Sequence, residues 1–141
     1  MANRISMVTL GVDDLPRSRA FYEALGWVAA PQSQDSVVFL QGGNIVLGLY
    51  GRLALAEDAG IKETEPGFSG FALAVNVASE TDADRLFELA IANGARPQKT
   101  PQKVFWGGYS GYFADPDGHA WEVAWNPHWR FDNNGIVRIA G

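Results

Sequence analysis

The 141-residue chain contains no cysteine and only two histidines, His119 and His128. Without cysteine there is no disulfide framework, no thiolate metal site and no cysteine nucleophile. With two histidines, a three-histidine metal centre cannot be assembled from one chain, and a Ser-His-Asp triad would have to use one of these two. Basic residues are also in short supply. Eleven Lys and Arg stand against sixteen Asp and Glu, giving a net charge of −5, and the cations are scattered with no basic run. A nucleic-acid partner is disfavoured, because the phosphate backbone is neutralised by clustered cations. Long apolar runs are missing too. The longest, Ile45 to Tyr50, is far too short to span a bilayer, and the N-terminus lacks the apolar region of a signal peptide. These absences predict a cytoplasmic protein with no membrane and no nucleic-acid partner.

What remains is a folding composition, 47% hydrophobic and 19% charged, sized for a single domain spanning 1–141. It contains an internal repeat. Ser6–Val12 (SMVTLGV) and Ser69–Val75 (SGFALAV) both alternate with period two. In the first, Val8, Leu10 and Val12 form the bulky face; in the second, Phe71, Leu73 and Val75 do. A helix follows each strand. The first has Asp14 as N-cap, Pro16 in its first turn and Gly26 past its end, with Ser18, Phe21, Tyr22 and Leu25 as its apolar stripe. The second begins at Ser79, with Asp82 three residues on, and stops at Gly94; its stripe is Ala83, Leu86, Phe87 and Ala90. Short strands at Trp27–Ala30 and Arg96–Lys99 come next, then a hairpin in each half. One hairpin turns at Gly42-Gly43 and the other at Asp115-Pro116-Asp117-Gly118. The organisation expected is therefore a first βαβββ module over 5–50 and a linker over 51–66 with a short helix through Leu53–Ala59. A second βαβββ module over 67–127 and an irregular tail over 128–141 complete it.

The start DDLPRSRAFYEALGW, the duplication and the ending GYFADPDGHAWEVAWNP resemble the vicinal oxygen chelate superfamily. This group holds glyoxalase I, the bleomycin- and fosfomycin-resistance proteins and the extradiol dioxygenases. The resemblance implies an α+β fold in which two paired βαβββ modules form an eight-stranded open cleft, and it implies a homodimer. Metal-dependent members hold a divalent ion on the first and last strand of each module. Carried onto this chain, those positions fall on Met7, on Leu47 (or, one residue on, Gly48), on Gly70 and on Glu122. Only Glu122 is a ligand type. One carboxylate among Met, Leu and Gly does not hold a hard cation, and a thioether prefers soft ions. No cofactor is therefore expected, and the glyoxalase and dioxygenase chemistries lose their metal.

The remaining candidates are read from the residues. On His119–Trp125, the small residues Ala120 and Ala124 share a face with Glu122, opposite Trp121, Val123 and Trp125, which belong to the core. A carboxylate so placed can act as a general base or anchor a cationic ligand. Thr9, Gly70, Ala72 and Ala74 continue the small-residue theme, which leaves room for a ligand or for close approach of the modules. Phe105, Trp106 and Tyr109 set three rings on a glycine-flexed segment that can line a pocket, although each ring taken singly is better explained as core or interface. His119 is read as a turn residue, and His128 lies beyond Pro127 where strand geometry lapses. The leading expectation is a metal-independent protein binding a small, partly apolar molecule in the sheet cleft or at a dimer interface. The alternative is a lyase or isomerase of the same superfamily with Glu122 as general base, with or without a divalent metal.

Overall fold

The structure is a computed structural model that describes residues 5–61, 68–69 and 71–139. Gly70 and the linker residues 62–66 lie outside that set. The chain divides into two compact units, 1–67 and 68–141. Among the described residues no helix is long and apolar enough to cross a membrane.

In the first unit, strand β1 (Met7–Val12) leads into helix α1 (Leu15–Ala24), and β2 (Val28–Ala29), β3 (Val37–Gln41) and β4 (Val46–Gly51) follow. The four strands form a sheet of order β1-β4-β3-β2, in which β1 and β4 run parallel and the other pairs antiparallel. Asp14 caps α1, accepting from the Arg17 amide at 3.0 Å. Ser18, Phe21 and Tyr22 are the helix's buried face. The helix lies on β3 and β4, and the sheet residues on that side are Leu10, Val12, Val38, Leu40, Leu47 and Leu49, none more than 4% exposed. Period two sends every one of these strand residues to the same side. The short helix α2 (Arg52–Ala59) follows β4 and covers the far end of the opposite face. A Cβ on Gly11 would lie 3.2 Å from Arg52 Cγ and 3.4 Å from Leu55 Cδ2.

The second unit repeats the plan with β5 (Leu73–Asn76), α3 (Glu80–Ala92), β6 (Arg96–Lys103), β7 (Tyr109–Ala114) and β8 (Ala120–Trp125), in sheet order β5-β8-β7-β6. Ser79 caps α3 through the Asp82 amide at 3.1 Å, and Ala83, Phe87 and Ala90 are its buried stripe. Phe113 and Trp121 stack beneath the helix, centroids 6.4 Å apart. Trp121 is core, whereas Trp125 at the strand end is half-buried. All three helices close the same way. The amide one residue past a glycine bonds back to a carbonyl in the last turn: Trp27 to Tyr22, Ile61 to Ala56 and Ala95 to Ala90. Gly26, Gly60 and Gly94 supply the positive φ this closure needs.

Several expectations change. Strand β5 begins at Leu73, and Phe71 lies ahead of it, 49% exposed, instead of joining the core. β6 runs on to Lys103, with irregular register at Pro97/Lys99 and Lys99/Gln102. Proline lacks the ladder N–H, so a strand carrying Pro97 and Pro101 belongs at a sheet edge, and β6 is one. The first hairpin turns over four residues, 42–45, not two, because Gln41 pairs with Val46. The tail is not irregular throughout. It holds an antiparallel pair, β9 (Arg130–Phe131) and β10 (Val137–Arg138).

That tail hairpin copies the Asp-Pro-Asp-Gly turn. In each, the aspartate Oδ1 accepts the amides two and four residues on: Asp117 and His119 for Asp115, Asn134 and Ile136 for Asp132. Each aspartate also exchanges backbone bonds with the third and fourth residue after it. The shared signature is Asp-x-x-Gly, present at 115–118 and 132–135.

Candidate functional site

The sheet face turned away from α1 is read off the register as three rows. Met7, Val46 and Gln41 form one row; Thr9, Gly48 and Phe39 the next; Gly11, Tyr50 and Val37 the third. At the first row the face sinks into a recess of about 350 Å³. Ser6, Met7, Phe39, Gln41 and Val46 line it from the sheet, and Ala30 and Gln32 line it from the loop after β2. That loop is clamped to β3, since the Ser33 hydroxyl accepts the Phe39 amide at 3.0 Å and donates to the Phe39 carbonyl at 3.3 Å. Ala30 N–H also reaches the Phe39 carbonyl, at 2.8 Å. Gln41 is fixed as well, its Nε2 donating to the Gly42 carbonyl at 2.8 Å.

In the second unit, the face turned away from α3 carries Glu122 with Tyr112 opposite it on β7 and Ala74 opposite it on β5. Ser110, Ala124 and Asn76 form the row beside it. The Tyr112 hydroxyl is pushed above its ordinary value of 10.0, first by burial, then by the Glu122 charge and the hydrogen bond to that carboxylate. A phenol and a carboxylate therefore stand opposite each other on a face otherwise lined by small residues.

The sequence candidates separate accordingly. Met7 and Thr9 lie on the recess face, Met7 itself lining the recess. Leu47 is corrected: it is 1% exposed and pairs with Val8 on the helix side, so the outward last-strand position is Gly48. A Cβ on Gly48 would lie 3.1 Å from Thr9 Oγ1 and 3.4 Å from Met7 Sδ. Ala120 and Ala124 flank Glu122, with Ala124 only 5% exposed. Ala72 is exposed ahead of β5, and Gly70 lies outside the described residues.

The three rings do not converge on one pocket. Phe105 is fully exposed at the tip of the β6–β7 hairpin. Trp106 folds back over Gly108, where its ring leaves no room for a Cβ. Tyr109 shares parity with Phe113, so it faces α3, and its hydroxyl donates to Asp84 at 2.8 Å. The Asp84 hydrogen bond, then burial, then the Asp84 and Glu80 charges raise the Tyr109 phenol.

Residue-by-residue reading missed Tyr112, Phe39, Gln32 and Gln41. Tyr112 was within reach: counting back from the Asp-Pro-Asp-Gly turn pairs Ala114 with Ala120 and hence Tyr112 with Glu122. Gln32 gives no such signal, because a loop position has no register.

The donor set does not fit a divalent ion. Met7 offers a thioether, Gly48 offers nothing, and no group of three His, Cys, Asp or Glu side chains is gathered among the described residues.

Residues 4–123 match the family model of the Glyoxalase/Bleomycin resistance protein/Dioxygenase superfamily. A glyoxalase-related enzyme from Fulvimarina pelagi, known from its crystal structure, is 38% identical over 99% of both chains, with a TM-score of 0.86. A glyoxalase/bleomycin resistance protein/dioxygenase family enzyme from Burkholderia phytofirmans is 24% identical, covering 85% of this chain and 96% of its own, with a TM-score of 0.75. A lactoylglutathione lyase from Agrobacterium tumefaciens is 22% identical, covering 94% of this chain and 100% of its own, with a TM-score of 0.69. The latter two likenesses are of fold alone. No curated protein matches the sequence.

Proposed function

Because this chain belongs to the Glyoxalase/Bleomycin resistance protein/Dioxygenase superfamily, we propose that it works as a ligand-binding member. It takes a small, partly apolar molecule on the helix-free face of its first sheet, without the divalent ion used by metal-dependent relatives. The observation that carries this reading is the recess of about 350 Å³ at Met7, Phe39, Gln41 and Val46. Its volume is in the range of small-molecule sites, and it combines apolar walls with a few amides and a hydroxyl. The donor-poor positions at Met7 and Gly48 support the metal-free half of the reading.

Two measurements test it together. Metal content per chain, by mass spectrometry of protein purified without a histidine tag, is expected to be far below one equivalent; near-stoichiometric nickel, zinc, iron or manganese overturns the metal-free half. Small aromatic probes titrated against labelled protein are expected to move the amides of Met7, Phe39 and Val46. Filling the recess with Val46→Trp is expected to abolish those shifts while the protein stays folded. A homodimer belongs to the same proposal and is checked by sedimentation equilibrium.

A second reading is favoured by the Tyr112–Glu122 pair and by the likeness to a glyoxalase-related enzyme. Here Glu122 takes a proton from carbon next to a carbonyl, the electron pair moving to the carbonyl oxygen, in lyase or isomerase chemistry. Tyr112 orients the carboxylate. Glu122→Gln then abolishes turnover with the fold intact, and turnover that survives removes Glu122 from the reaction.

A further inference from the structure

We infer that the recess of the first sheet selects a neutral ligand carrying an N–H or O–H group, and that the Gln41 side-chain carbonyl is the acceptor that recognises it. This rests on reading the recess as the ligand site and adds the ligand's chemical class. Among the described residues, none that lines it is ionisable. An ion brought against Met7, Phe39 and Val46 would lose water and meet no counter-charge, which disfavours both carboxylates and ammonium groups. The chain's net charge of −5 acts over distances that physiological salt screens, so it does not replace a local partner.

The polar end of the recess is oriented by the β3–β4 turn. Gln41 offers two amide protons on one end and a carbonyl on the other. Its Nε2 is committed to the Gly42 carbonyl at 2.8 Å. Flipping the amide would set Oε1 against that carbonyl, lone pairs against lone pairs, so the donor end stays at the turn. The turn itself is braced. Gly42 N–H donates to the Ile45 carbonyl at 3.0 Å, and the Trp27 ring packs so closely on Gly42 that a Cβ there would meet Cη2 at 2.8 Å. What Gln41 has left for a ligand is the acceptor Oε1, held in one orientation, with the second Nε2 proton beside it. Gln32 and Ser6 also carry both donors and acceptors. A flat apolar body against Phe39 and Val46 with a donor at Gln41 is the occupant this arrangement fits.

The test is a titration of the labelled full chain, followed by amide shifts, with four probes of one size class: indole, N-methylindole, benzoate and benzylammonium. Indole is expected to bind at the amides of Met7, Phe39 and Val46 about fivefold more tightly than N-methylindole, the worth of one partly exposed hydrogen bond. The two ions are expected to bind more weakly than either. Gln41→Met, and Gln41→Leu as a second variant, are expected to bring the indole to N-methylindole ratio to about one, a readout that loss of turn stability alone does not move. Equal binding of the two indoles at these amides, or a ratio that survives in both variants, overturns the role of Gln41 while the recess remains a ligand site. Benzoate or benzylammonium binding as tightly as indole overturns the neutral-ligand assignment. If no probe moves the recess amides, the recess reading itself fails and the inference goes with it.

Discussion

Replacing Asp115 by alanine tests whether burial or hydrogen-bond chemistry sets the worth of the Asp-x-x-Gly turns. Asp115 is 1% exposed, and its Oδ1 accepts the amides of Asp117 at 2.9 Å and His119 at 2.8 Å. A hydrogen bond to a charged acceptor is worth roughly 1.5–3 kcal/mol, and an orphaned buried donor carries a similar penalty. The two amides are half-buried and regain some water, so Asp115→Ala is expected to cost about 2–4 kcal/mol. That is a large share of the roughly 5–15 kcal/mol by which domains are stable. Asp115→Asn keeps an acceptor at the same place and is expected to recover about half. Asp132 accepts the matching pair of amides and, through Oδ2, Arg138 Nε at 3.0 Å, in a turn more open to water, where solvent takes over the freed groups. Asp132→Ala should leave the global unfolding midpoint close to that of the parent. Urea unfolding of the three variants, followed by tryptophan fluorescence, is the assay. Equal losses for Asp115→Ala and Asp132→Ala would refute burial as the deciding factor. An Asn variant as damaged as the Ala variant would refute the turn amides as the carboxylate's main partners.

Other expectations concern titration and packing. Tyr109 and Tyr112 are both raised above 10.0, by Asp84 and by burial beside Glu122 respectively. Their contribution to stability is therefore full below pH 10 and lost as pH rises through the raised values. Tyrosinate absorbance should show Asp84→Asn lowering one of these titrations and Glu122→Gln the other; unmoved titrations would refute the pairings. Asp132 is held below its ordinary 3.8 by the amides of Ile136 and Asn134, then by Arg138. The stability it lends the tail hairpin is present above that ordinary value and lost as pH falls through the lowered one. Amide shifts of Asn134 and Ile136 should accordingly titrate with a midpoint below 3.8. Gly42→Ala pushes the Trp27 ring off the turn and is expected to cost about 1–3 kcal/mol with a shift in tryptophan emission; a neutral outcome would show that Trp27 repacks freely.

Much of the fold was legible because it rests on local chemistry. Asp14 and Ser79 cap their helices because a short side-chain acceptor one step before an apolar stripe has little else to bond. Gly26 and Gly94 end them because only glycine takes the positive φ of that closure without strain. The tail hairpin is also written in the chain, as a second Asp-x-x-Gly, but strands of two residues carry no alternation.

Alternation along β1, β4 and β8 and the punctuation of the turns thus determined, from sequence alone, the two βαβββ units and their helix faces. Tertiary structure decided what depends on partners distant in sequence. Leu47 and Gly48 differ by one residue, and only the parallel register with β1 turns Gly48 toward Thr9 and buries Leu47. Tyr109 reads as a pocket aromatic until α3 brings Asp84 to its hydroxyl. The recess needs the loop carrying Gln32 clamped to β3 by Ser33. A residue's type and parity are local properties, whereas a cavity exists only where separate segments fail to fill the space between them.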